Sequence, residues 1–109
     1  KSAVRQLAIP SMKQVWGYQG TDDDPFYSQL CGTAQRLSNG NTLITETNYG
    51  RVFEVDSEGQ KVWEYYSPYR AGDQDQFVAW IPEMVRLDPA RETEIRGWLD
   101  ETPQAGRAR

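Results

Sequence analysis

Four polar residues stand close together in the middle of the chain, Glu46, Asn48, Tyr49 and Arg51, and their types suit the binding of an anion or a small polar ligand. The guanidinium of Arg51 offers a planar fork of donors that matches sulfate or carboxylate, and Asn48 adds an amide that both donates and accepts. The simpler reading, and the favoured one, is an exposed Glu46–Arg51 ion pair across a hairpin, contributing under about 1 kcal/mol. A second candidate is the run Asp22, Asp23 and Asp24, since a hard cation such as calcium takes several carboxylate oxygens from a flexible loop. The three acids are consecutive, whereas an EF-hand loop alternates its acidic positions around a glycine. A solvated acidic loop is therefore expected, and neither a metal nor any other cofactor is assigned. No spacing sets two carboxylates across a cleft for general acid–base work.

What the chain lacks narrows its chemistry further. None of its 109 residues is histidine, which removes the commonest general base and the usual activator of a serine or cysteine nucleophile. Cys31 is the single cysteine, so no intrachain disulfide can form, and a small buried thiol is expected there. Sixteen acidic and twelve basic side chains leave a formal charge of −4, the opposite of what phosphate neutralisation requires, and no nucleic-acid partner is expected. No apolar run approaches a membrane span, and the amino terminus carries no signal-peptide pattern. Because Lys1 is not an initiator methionine, the chain is expected to be a processed or excised piece whose compartment its residues do not reveal.

The elements that must position these groups are short strands. Ala34–Leu37, the turn Ser38–Asn41 and Thr42–Thr47 read as strand, tight turn, strand, with Asn39-Gly40 tolerating the positive φ angles of a two-residue hairpin. Arg51–Asp56 predicts a half-buried strand, Ser57–Gly59 a turn and Lys61–Tyr66 a fourth strand. Four antiparallel strands joined by tight turns within about 35 residues make a meander, the unit of a β-propeller blade. Gln19–Pro25 and residues 67–76 read as polar connections, and Phe77–Ile81 with Glu83–Leu87 as an edge strand interrupted at Pro82. Asp88-Pro89 starts a short helix to about Glu101, with Ile95, Trp98 and Leu99 on one face. Thr102–Gly106 reads as frayed coil.

Part of this pattern recurs at the amino terminus. Leu7–Tyr18 aligns with Phe53–Tyr65 after deletion of one turn residue, which pairs Leu7 with Phe53 and sets Trp16 and Trp63 47 positions apart. That offset suits stacked blades of roughly 40–50 residues. The expected fold is all-β: residues 1–18 as the outer strands of a partial blade, 19–70 as a complete four-stranded antiparallel blade with its leading loop, and 71–109 as a carboxy-terminal extension with a closing strand and a short helix. A propeller needs at least about four blades. Partners are therefore expected, either the remaining blades on another chain or on the rest of a longer polypeptide, or copies of this chain. Trp16, Trp63, Phe53 and Tyr65 are the expected packing residues. Tyr66, Tyr69, Trp80 and Trp98 are read in the same way, ahead of a carbohydrate or aryl-ligand platform.

The segment Gly32–Ile44, continued by Gly50–Asp56 and Val62–Tyr65, resembles a blade of the arylsulfotransferase-type propellers. More loosely, it is similar to quinoprotein-like blades through the Asp-x-x-Gly-x-x-x-Trp pattern from Asp56 to Trp63. The resemblance covers residues 4–70. It implies a secreted or periplasmic protein of about six blades, whose active members use a histidine nucleophile at the central channel. That histidine is expected just before the inner-strand Ala-Gln motif, where this chain has Leu30-Cys31-Gly32-Thr33. The reading that follows is a non-catalytic structural and binding segment of an arylsulfotransferase-like propeller. The alternative is part of an active aryl-sulfate sulfotransferase whose nucleophile lies on blades outside this chain, with Arg51 or Asn48 holding the anion. A quinoprotein-like fold with a redox cofactor is disfavoured, because no residues mark a cofactor site.

Overall fold

The computed structural model describes residues 1–101. These are mostly β, in three antiparallel sheets, and end in one short helix. Strands β1 (Val4–Leu7) and β2 (Gln14–Tyr18) form a hairpin. Strands β3 (Thr33–Arg36), β4 (Thr42–Glu46), β5 (Arg51–Val55) and β6 (Lys61–Tyr66) form a meander in sequence order. A small ribbon pairs β7 (Arg70–Ala71) with β8 (Phe77–Val78), and helix α1 spans Pro89–Glu101.

Two turns of the meander share one geometry. In the first, Gly40 N–H donates to the Leu37 carbonyl (3.0 Å) and Leu37 N–H to the Asn41 carbonyl (2.8 Å); in the second, Gly59 donates to Asp56 (3.0 Å) and Asp56 to Gln60 (2.9 Å). Only the glycines take positive φ, 90° and 81°, so each turn is a tight turn closed by a left-handed glycine rather than the two-residue hairpin expected at Asn39-Gly40.

The strand expected to be half-buried is covered on both sides, and every residue of β4 and β5 is buried. Cross-strand register puts Ile44, Phe53 and Arg51 on one face and Leu43, Thr45, Val52 and Glu54 on the other. Over the first face lie Phe26, from the leading loop, and the half-buried Val4, Trp16 and Tyr18 of the β1–β2 hairpin. The Tyr18 and Phe26 rings each stand 5.6 Å from Phe53. Aromatic pairs at such separations add to the burial of their area.

The second face is covered by the segment Ile81–Leu87, which runs across the strands as a strap. Met84 N–H donates to Thr45 Oγ1 (3.1 Å), Arg86 N–H to Gln35 Oε1 (2.8 Å), and Gln35 Nε2 to the Arg86 carbonyl (3.0 Å). The Arg86 guanidinium pairs with Glu54 and lies 5.1 Å over the Trp63 ring. The strand expected at Phe77–Ile81 is thus confined to Phe77–Val78, and Glu83–Leu87 forms none. Its backbone is satisfied by side chains of the sheet instead of by a ladder.

Helix α1 starts where expected, with Arg91 N–H donating to Asp88 Oδ1 (2.9 Å) and Pro89 in the first turn. It buries none of its residues, and Trp98 and Leu99 stay half exposed. The expected coil at Thr102–Gly106 lies outside the described residues.

The β1–β2 hairpin and the β5–β6 pair have matching registers. Val4, Gln6 and Leu7 oppose Tyr18, Trp16 and Gln14, with a bulge between Gln6 and Leu7; Val52, Glu54 and Val55 oppose Tyr65, Trp63 and Lys61, with a bulge between Glu54 and Val55. Leu7 therefore corresponds to Val55 and not to Phe53, because the extra turn residue belongs to the first hairpin. The Trp16–Trp63 correspondence is unchanged.

Candidate functional site

Arg51 opens β5, opposite Glu46 at the end of β4 and Tyr66 at the end of β6. A short 3-10 turn, Thr47–Tyr49, joins β4 to β5 and hands over to Gly50 in the left-handed region. This brings a carboxylate and a guanidinium side by side on the face that the leading loop covers. The pair is the one expected from the sequence, but it is buried rather than exposed: the Arg51 and Glu46 side chains are 6% and 3% accessible.

The contacts around Arg51 are extensive. Its Nε donates to Glu46 Oε1 (2.9 Å) and Nη2 to Glu46 Oε2 (3.1 Å), a bidentate pairing. Nη1 donates to Asp24 Oδ1 (2.8 Å), Nη2 also to the Pro25 carbonyl (2.9 Å), and the guanidinium lies 4.6 Å from the centre of the Phe53 ring. Glu46 Oε2 accepts in addition from the Tyr27 backbone N–H (2.9 Å). Lys61 extends the network, donating to Asp24 Oδ2 (2.8 Å) and Glu64 Oε2 (2.6 Å).

Burial works against the charge on Arg51, but the hydrogen bonds to Asp24 and Glu46 outweigh it and hold its pKa above the ordinary guanidinium value. Lys61 and Arg51 together hold the Asp24 carboxyl below its usual range, and Asp24 and Glu64 hold the Lys61 ammonium above its own. The network fastens residues 24–27 to the sheet.

Above these ions is an open cleft of about 390 Å³, lined by Tyr27, Tyr49 and Tyr66 with Asp24, Pro25, Glu46 and Arg51. Of the four residues singled out from the sequence, Glu46, Tyr49 and Arg51 meet here. Asn48 does not: its Oδ1 accepts from the Leu30 N–H (3.0 Å) and the Ser28 hydroxyl (3.4 Å), pinning the loop before β3. Sequence reasoning missed Tyr27, Asp24 and Tyr66 as members of the cleft. Tyr66 had a signal, its cross-strand position opposite Arg51. Asp24 and Tyr27 had none, because the path of their loop decides where they lie.

Asp22 reaches only the exposed Lys1 (3.4 Å), Asp23 is exposed, and Asp24 is engaged by two cations. Among the described residues no group of three His, Cys, Asp or Glu side chains is arranged to hold a metal ion. Cys31 is exposed, not buried, on the loop before β3 at a φ of 61°. The Trp16 indole N–H donates to the Ser57 carbonyl (2.9 Å), and Arg36 lies 4.7 Å over its ring. Trp63 stacks on Tyr65, centroids 6.4 Å apart and planes 7° from parallel, and Phe53 is fully buried.

In comparison with known proteins, residues 4–68, more than half of the chain, match the family model described as arylsulfotransferase (ASST). No curated protein and no solved structure matches the chain.

Proposed function

The chain belongs to the arylsulfotransferase (ASST) family, and from that premise we propose that it is a structural and binding segment of an arylsulfotransferase-like β-propeller, with no catalytic group of its own. The observation that carries this reading is the matching register of β1–β2 and β5–β6, bulge included. Strand β5 has β4 and then β3 along its other edge, whereas among the described residues β1 pairs with β2 alone. By that correspondence the hairpin is the outer half of a second blade, and β1 is the edge at which the two inner strands of that same blade are supplied from outside residues 1–101. An unpaired strand edge is a template for such addition.

The absence of histidine from all 109 residues supports a non-catalytic role for this chain, since sulfuryl transfer in this reading runs through a histidine nucleophile. The family also points to a secreted or periplasmic setting.

Two measurements test the proposal together. Light scattering with intact mass spectrometry is expected to find the chain in a particle larger than one copy, either with a companion chain or with copies of itself. A 4-nitrophenyl sulfate assay with a phenol acceptor is expected to show no turnover by the chain alone. A folded monomer would overturn the blade reading, and turnover by the isolated chain would overturn the non-catalytic one.

A further inference from the structure

The geometry points to the cleft between Tyr27, Tyr49 and Tyr66 as a binding site for a small organic cation, of the aryl- or alkylammonium class. Three carboxylates, Asp24, Glu46 and Glu64, surround two cations, Arg51 and Lys61, so the cluster beneath the cleft carries a net negative charge. The guanidinium, the group best suited to an anion, turns its donors to Glu46, Asp24 and the Pro25 carbonyl. An entering sulfate would meet no free fork and the carboxylates of Asp24 and Glu46.

Tyr27, Tyr49 and Tyr66 are 43%, 55% and 52% exposed and surround the mouth of the 390 Å³ cleft. The electron-rich faces of tyrosine rings attract ammonium groups, most strongly where carboxylates stand behind them. The volume lies at the small end of ordinary ligand pockets, room for an ammonium group carrying one ring. All these residues belong to one chain, so the site does not depend on the propeller reading or on any partner blade.

The test is a titration of the full chain, followed by the NMR signals of the tyrosine rings, with benzyltrimethylammonium as probe and benzenesulfonate as an anion of similar size. The ammonium is expected to give saturable shifts with a Kd on the order of millimolar, and the sulfonate none at equal concentration. Tyr49→Ala and Tyr66→Ala are each expected to weaken binding about fivefold or more, whereas Tyr66→Phe, which keeps the ring, retains it. Unchanged circular dichroism shows that each variant is folded, and both side chains are half exposed. Saturable binding of the sulfonate in place of the ammonium, or wild-type affinity in Tyr66→Ala, would overturn the assignment. Neither result bears on particle mass or sulfuryl transfer, so the two proposals fail separately.

Discussion

Surrounded by Glu46, Asp24 and the Pro25 carbonyl, Arg51 holds the leading loop onto the sheet, and its removal leaves the buried Glu46 without its counter-ion. Urea unfolding of Arg51→Ala is expected to show a loss of about 3–5 kcal/mol. The double variant Arg51→Met with Glu46→Leu should lose much less, since a buried ion pair replaced by apolar groups of similar volume is often neutral. Equal losses in the two proteins would mean that the pair is not what fastens the loop. The pH dependence has two limbs. Asp24 is held below its ordinary value of 3.8, so its contribution is present above that value and is lost as pH falls through the lower folded pKa. Lys61 is held above 10.5, so its contribution is present below that value and is lost as pH rises through the higher folded pKa. Chemical denaturation across pH should find this attachment constant between those values, and Asp24→Asn should flatten the acid limb. The Glu46–Arg51 pair was legible in the sequence because the two residues flank a tight connection. Its burial was not, since Asp24 and Pro25 reach it from more than 25 positions away.

Between strands β4 and β5 the chain reverses through Gly50, whose φ is 58° and whose carbonyl accepts from the Ser67 N–H (2.7 Å). A Cβ built there would stand 2.5 Å from the Ala79 carbonyl oxygen. Gly50→Ala therefore combines a left-handed backbone penalty with a backbone clash, and thermal unfolding is expected to show a loss of more than about 1 kcal/mol. Wild-type stability would mean that the segment after β8 moves aside freely. At this scale the sequence was informative wherever an element carries its own local signal. Apolar alternation and paired glycine turns marked β3 to β6, and Asp88-Pro89 marked the start of α1. The burial of β5 on both faces was illegible, because its covers come from opposite ends of the described chain. The strap also leaves no periodic trace: its backbone is held by Gln35 and Thr45 side chains, which impose no pattern on residues 81–87.

Seen as a whole, the meander is held between two unlike covers, an aromatic one from the amino-terminal hairpin and a polar-tethered one from the strap. The second should be the weaker, because its ties are a few hydrogen bonds and one partly exposed ion pair, Arg86–Glu54. Arg86→Ala is expected to raise amide hydrogen exchange at Met84 and residue 86 by about tenfold or more while leaving β1 and β2 unchanged. Equal acceleration in the hairpin would show that the two covers open as one unit. Trp63 fluorescence should shift in the same variant, since the Arg86 guanidinium no longer lies over the indole.

The strap also lies later in the chain than everything it covers. On a ribosome the last strand of the meander is complete at Tyr66, while Leu87 is still 21 residues from being made. At about 5–20 residues per second, the face of Leu43, Thr45 and Val52 waits roughly one to four seconds for its cover. A meander folded within that interval would present an uncovered sheet face, so order of emergence bears on the making of this protein separately from the stability of the finished fold.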